Sequence, residues 1–303
     1  MFITKTEIIG IDGGNNEVKI FGPYGPLRFP SSFGEWRERK LKQNHGQFDM
    51  EYEFRGKKGF AGTLAEYESE YNASLPGDTK AHNDHLIRVL LALHQYSKAV
   101  KFKIVTGQPI IRHDEKEKQR IKEMLEGKHE ITINGLRKNI EIVEAIIAAE
   151  GGSAFWSNPK PGLVRILDFG SGTVNAATLV DGRYVDKESF TIVSGMDTNI
   201  TKDNQAMARL VAGKALKKWK RNDQVYTVGG AAEVMLDSLK EHFYHVEILK
   251  PKVDSDEYAR WNHKPEEKDI VRVGDQVRLH PIFSNAVGNY RIAELSYSEE
   301  SNF

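Results

Sequence analysis

Two short segments combine a carboxylate, glycines and a cationic or hydroxyl residue at spacings that suit phosphate chemistry. The first is Asp12-x-Gly14-Asn15-Asn16-x-x-Lys19 and the second is Asp168-x-Gly170-Ser171-Gly172-Thr173. Each sets a carboxylate at the end of an apolar run beside glycines, whose bare backbone lets successive N–H groups approach an anion. Two such turns facing one another would grip a polyphosphate from both sides. Asp12 and Asp168 would then lie within reach of a magnesium ion through its retained waters, while Lys19 neutralises phosphate charge. No G-x-x-x-x-G-K-[ST] loop occurs, so this clamp would be built without the commonest phosphate loop. Taken singly, either Asp-x-Gly turn is ordinary hairpin chemistry; the pairing carries the reading. A third site, Gly229-Gly230-Ala231, follows the apolar run 225–228. A helix opened by Gly-Gly offers free N–H groups and room for a flat ring, which suits an adenosine pocket.

The elements that must position these residues are legible in the hydrophobic pattern. Segments 8–12 and 17–21 read as strands around the turn Gly13-Gly14-Asn15-Asn16, and 52–54 with 57–61 as a second hairpin turning at Arg55-Gly56. Leu86, Ile87, Leu90, Leu91 and Leu93 recur at helical spacing within 83–100, after which 101–106 returns to strand alternation. A charged helix is expected over 114–125, and an Asn134-Gly135 hairpin over 131–140. Asn158-Pro159-Lys160-Pro161-Gly162 is the strongest break. Beyond it, strand 163–168, a Gly-rich turn and strand 174–180 repeat the opening pattern, and this internal repeat argues for two related α/β units. Helices are expected over 206–221 and 233–242, and the charged stretch 254–275 reads as a solvated insertion.

Composition removes several classes of function. The 303 residues hold 43 Lys+Arg against 43 Asp+Glu, so the charge footprint of a dedicated nucleic-acid binder is missing. There is no cysteine, which excludes disulfides, thiolate zinc sites and cysteine nucleophiles. No apolar run is long enough to span a bilayer, and the opening residues lack the apolar core of a signal peptide; a cytoplasmic, bacterial setting without membrane contact is expected. His82-x-x-His85 and His242-x-x-His245 have helical ligand spacing but no adjacent acidic base arranged as in H-E-x-x-H, and read as structural or surface histidines.

The order of segments 8–19, 142–149, 166–173, 225–232 and 284–289 resembles the five motifs of the actin, Hsp70 and sugar-kinase ATPase superfamily: phosphate-1, connect-1, phosphate-2, adenosine and connect-2. Within it, Phe60-Ala-Gly62, Ile104-Val-Thr-Gly107-Gln-Pro109 and Asn285-Ala-Val-Gly288-Asn-Tyr290 look like the bacterial actin-like plasmid-segregation proteins, the ParM, StbA and AlfA group. The resemblance implies two α/β domains flanking a nucleotide cleft. Domain I would span 1–157 plus 286–303, with a small subdomain near 24–62, and domain II 158–285. Only a short stretch separates Thr173 from Gly229, so subdomain IIB would be reduced or absent.

Carried over residue by residue, the resemblance makes Asp12, Gly14, Asn15, Asn16, Lys19, Gly170, Ser171, Gly172, Thr173, Gly229, Gly230 and Ala231 nucleotide-binding residues. Asp12 and Asp168 would hold magnesium through water. Lys214, on the helix expected where relatives contact ribose and adenine, joins the nucleotide set. Asp168 and the connect-1 Glu144 are the expected catalytic residues, Glu144 positioning the attacking water, with Glu150 its competitor on the same expected helix. The activity implied is magnesium-dependent hydrolysis of ATP or GTP coupled to head-to-tail filament assembly, segregating plasmid DNA through a separate DNA-binding adaptor and without direct sequence-specific DNA contact. A small-molecule kinase of the same superfamily and a non-hydrolysing structural filament protein are the rival readings.

Overall fold

The computed structural model describes residues 5–43, 46–71 and 79–298. Strands β1 (Glu7–Gly13) and β2 (Glu17–Gly22) form the opening hairpin, with Asp12 directly opposite Lys19. They are followed by β3 (Gly25–Pro30), β4 (Phe33–Glu35), β5 (Asp49–Phe54), β6 (Lys57–Gly62) and the short helix α1 (Thr63–Glu68). Helix α2 (Asn83–Tyr96), strand β7 (Lys101–Gln108), helix α3 (Glu115–Leu125) and strands β8 (Gly127–Ile133) and β9 (Leu136–Ala149) complete the first unit. Its nine strands run β3-β2-β1-β7-β9-β8-β5-β6-β4, with β1, β7 and β9 parallel. The apolar stripe of α2 covers this sheet, Leu86, Leu90 and Leu93 sharing one core with Ile9, Ile11, Ile104 and Ile142.

Residues 142–149 are strand, where the connect-1 reading expected a helix. The β8–β9 hairpin turns at Asn134-Gly135, both at positive φ (50° and 80°), and its second arm then runs on for 14 residues beside β7. The run Ile140, Ile142, Val143, Ile146 and Ile147 is rich in β-branched side chains, whose restricted χ1 favours the pleated backbone.

The second unit repeats the plan. Strands β10 (Leu163–Phe169) and β11 (Val174–Val180) form a hairpin, extended by β12 (Arg183–Tyr184) and β13 (Phe190–Ile192). After helix α4 (Asn204–Ala215), strand β14 (Gln224–Val228), helix α5 (Ala232–Lys240) and strand β15 (His245–Ile248) add two parallel strands. The order β11-β10-β14-β15 thus echoes β2-β1-β7-β9. Helix α4 stops at Ala215, short of the expected 221; Asp203 caps its start by accepting from the N–H groups of Gln205 and Ala206. Between β13 and β14 it is the one regular element among the described residues.

The charged stretch 254–275, expected as a solvated insertion, belongs to a small folded module. Strands β16 (Lys252–Asp254), β17 (Ile270–Val273) and β18 (Gln276–Leu279), with helix α6 (Ser255–Ala259), form a third sheet in the order β16-β18-β17. Its buried residues Val253, Trp261, Val277 and Leu279 share one core with Phe21 of β2 and with Val287 and Tyr290; most of its charges are exposed, but Asp269 is buried and pairs with Arg28 of β3 at 3.1 Å. Helix α7 (Ser284–Ser298) then lies on β1 and β7. The approach is so close that a Cβ on Gly10 would stand 2.2 Å from the Tyr290 nitrogen, and one on Gly288 only 1.9 Å from the Ser153 carbonyl oxygen. Glycine is required at both positions.

Candidate functional site

A cavity of about 800 Å³ opens between the two units. Asp12, Gly14, Asn15, Asn16 and Lys19 line it from the first hairpin, Asp168, Gly170, Ser171, Gly172 and Thr173 from the second, and Gly229, Gly230 and Ala231 from the turn after β14. Three segments far apart in sequence therefore converge on one cleft, because each turn sits at the end of a strand of the repeated sheet plan.

The first turn is held from beneath. Ser31 Oγ donates to the Gly14 carbonyl at 2.5 Å, Arg88 Nη1 to Asn15 Oδ1 at 3.0 Å, and Lys80 Nζ to the Gly13 carbonyl at 2.9 Å. His85, wholly buried, lies against Gly13, where a Cβ would stand 2.7 Å from its ring. Burial and the neighbouring Lys80 charge hold the imidazole well below its ordinary pKa, so it is neutral. The second turn closes on itself through Gly170 N–H to the Thr173 carbonyl, 3.0 Å. It is strapped by the segment after β13: Met196 N–H donates to the Gly170 carbonyl and Asp197 N–H to the Ser171 carbonyl, at 3.1 and 2.9 Å. Gly229, at φ +90°, packs where a Cβ would lie 2.5 Å from the Phe169 carbonyl and 3.0 Å from Asp168 Oδ1. The adenosine-type turn and the second phosphate-type turn are in this way locked together.

Charge in the cleft is unbalanced toward the negative at its floor. Asp12 pairs with Lys19 at 3.5 Å, and Glu150 with Lys80 at 3.5 Å. Among the described residues Asp168 receives one side-chain donor, the neutral Asn285 Nδ2, at 2.8 Å. Burial pushes its carboxyl up to about 7; the Asn285 hydrogen bond opposes this, and the charges of Glu150 and Asp12 add to it. Burial also raises Glu150, against the pull of Lys80. Asn175 Nδ2 donates to Glu150 Oε2 at 3.0 Å from the opposite unit. An oxygen-rich site with a cation-starved buried carboxyl suits a hard divalent ion. Among the described residues no three carboxylate or imidazole side chains are grouped closely enough to hold a metal by themselves, so such an ion would need phosphate oxygens or waters to complete its shell.

Two expected residues are not brought to the cleft. Glu144 lies within β9, six residues before Glu150, which at strand rise is about 20 Å along the sheet; its carboxylate pairs with Lys103 of β7 at 3.2 Å. Lys214 is exposed near the C-terminal end of α4 and does not line the cavity. Glu150, the competitor, lines the cavity and is 9% exposed. Lys80, Asn175, Arg28 and the 193–198 segment also line it and were not singled out from the sequence; each lies in a stretch without a recognisable spacing signal.

The architecture is that of the actin-like ATPases: two repeated α/β units around a cleft lined by paired hairpin turns. Residues 10–152 match the family model for the actin like proteins N terminal domain. The whole fold is similar to an AlfA filament bound to AMPPNP (21% identity, 98% of each chain, TM-score 0.69). It is likewise similar to AlfA from B. subtilis plasmid pLS32 in its filament (20% identity, 93% of this chain and 97% of that one, TM-score 0.70) and to apo pSK41 ParM (18% identity, 98% and 99%, TM-score 0.68). No curated protein sequence matches the chain. Among the described residues no helix is long and apolar enough to cross a membrane.

Proposed function

We propose that the chain is a magnesium-dependent nucleoside triphosphatase that assembles head to tail into filaments and segregates plasmid DNA through a separate DNA-binding adaptor. The observation that carries this reading is the cleft itself. Two Asp-Gly hairpin turns line one cavity of a volume suited to a nucleotide, and Glu150 lines it with them. AlfA in filament form with AMPPNP is a structural relative, which supports both nucleotide binding and self-assembly through a heterologous, non-closing contact.

The first turn and Lys19 hold the terminal phosphates, the second turn grips them from the other side, and Gly229 to Ala231 receive the nucleoside. Glu150, in place of the expected Glu144, orients a water and accepts its proton as the water oxygen bonds to the γ-phosphorus and the β–γ bridging bond breaks. Asp12 and Asp168 would hold magnesium through water, and the ion would supply positive charge to the phosphate oxygens.

The test follows light scattering and phosphate release together, across a protein concentration series with Mg-ATP, Mg-GTP, Mg-ADP and no nucleotide. Assembly above a threshold concentration with a triphosphate, with phosphate release following it, is expected. Release that needs an added phosphoryl acceptor would replace this reading with a kinase. Assembly without release would replace it with a structural filament.

A further inference from the structure

Lys80 is a buried ammonium that joins two parts of the cleft. Its Nζ lies 2.9 Å from the carbonyl oxygen of Gly13, between Asp12 and Gly14 on the first turn, and 3.5 Å from Oε1 of Glu150. Its backbone is fixed as well: the Lys80 N–H donates to Oε1 of the buried Gln108 at 2.8 Å, at the end of β7. The other Glu150 oxygen, Oε2, is taken by Asn175, and Glu150 Cγ sits where a Cβ on Gly107 would stand 2.9 Å away. Both carboxylate oxygens and the side-chain stem of Glu150 are therefore constrained.

A buried ion pair of this kind contributes little net stability, since desolvation of both charges offsets their attraction. What it does provide is geometry. Lys19 lines the cavity and, among the described residues, its one ion pair is with Asp12, which leaves it placed to meet phosphate; Lys80 is engaged on both sides by the protein. We propose that Lys80 is a positioning residue that sets the distance between the Asp12–Gly14 turn and the Glu150 carboxylate, so that a water on Glu150 lies in line with a phosphate held by that turn. The proposal rests on the reading of Glu150 given above.

The experiment is a double-mutant cycle in the full-length chain: parent, Lys80→Met, Glu150→Gln and the double variant. Phosphate release is measured at saturating triphosphate and matched polymer mass, and nucleotide affinity with a fluorescent analogue. Misplacing a catalytic group costs on the order of 100-fold, so Lys80→Met is expected to lower kcat by about that factor while affinity changes less than about threefold. On the Glu150→Gln background the same substitution is expected to cost nothing further in kcat. A loss repeated in full on that background, a parental kcat in Lys80→Met, or weakened affinity with unchanged kcat each overturns the proposal. Parental turnover by Glu150→Gln overturns the reading of Glu150 first and the proposal with it. If Lys80→Met melts well below the parent, Lys80→Arg carries the same cycle; it keeps the charge but not the reach, and is expected to fall between parent and Met in kcat.

Discussion

Asp168→Asn should stabilise the ligand-free protein at pH 8 while disabling hydrolysis. The Asp168 carboxyl is buried and pushed from 3.8 up to about 7. Because the folded-state value is raised, the folded protein keeps this proton over a range where the unfolded chain has lost it. The stability the group contributes is thus full below pH about 4 and is lost as pH rises toward 7. A shift of roughly three units corresponds to about 4 kcal/mol at 1.36 kcal/mol per unit, an upper bound because Lys19 and the Asn285 amide can adjust. Asparagine has nearly the same shape and can still accept from Asn285, yet carries no charge to desolvate. The assay is thermal melting of parent and variant in EDTA, without nucleotide, from pH 4.5 to 8. At about 2–4 °C per kcal/mol for a chain of this size, the variant is expected to melt several degrees higher at pH 8, with the gain shrinking toward zero at pH 4.5. Comparing the two proteins cancels every other titrating group. A variant that melts at or below the parent at pH 8, or a gain independent of pH, would refute the account of a cation-starved carboxyl.

Glu144→Ala should leave phosphate release within about twofold of the parent, whereas Glu150→Ala should lower it by at least about 100-fold, the scale of a lost general base; equal losses would return the role to β9. Gly229→Ala should weaken nucleotide affinity and cost roughly 1–3 kcal/mol in stability by denaturant titration, because φ +90° is strained for alanine and the new Cβ meets the Phe169 carbonyl; parental behaviour would show that this turn can shift freely. His85 is held neutral with its folded-state value lowered, so the stability linked to it is present above pH about 6.5 and lost as pH falls below that value. His85→Phe should therefore flatten the acid side of the Tm–pH curve, and an unchanged slope would exclude His85 as its source.

How much of this was readable in the residues depends on whether local chemistry or distant packing decides. The Asn134-Gly135 hairpin was legible because both residues take the positive φ that Asn and Gly tolerate; the two Asp-Gly cleft turns, which have no residue at positive φ, and the repeat were legible because each turn follows an apolar strand running into Asp and glycine. Segment 142–149 misled because a short apolar run suits either a buried helix or a buried strand by periodicity alone, although its Ile and Val residues lean toward strand; pairing with β7, over 30 residues away in sequence, decided for strand and left Glu150, not Glu144, lining the cleft. The module around 252–279 was illegible for a related reason. Its few large apolar residues, Trp261 and Leu279 among them, bury themselves on Phe21 and α7, and a core assembled from such distant pieces leaves no local periodicity. Lys80 carries no motif at all; only the fold brings it under Gly13.

The floor of the cleft is joined across the two units by amides instead of salt bridges. Asn285 of α7 donates to Asp168 of β10 and accepts from Gly151 N–H and Ser153 Oγ, while Asn175 of β11 donates to Glu150. An arginine at either position would bind its carboxylate bidentately, neutralise it and lower its pKa. An amide supplies one hydrogen bond and leaves the negative charge in place. Asp168 is thereby held in position but not electrically satisfied, and the missing charge must come from what enters the cleft. On the proposed function, binding a magnesium–nucleotide complex would relieve a cost that the ligand-free fold carries, and would link ligand binding to the closeness of the two units through the same two asparagines. Replacing Asn285 by Asp would set a second carboxylate 2.8 Å from the first and strengthen that link, weakening the ligand-free contact while increasing the dependence of melting temperature on magnesium.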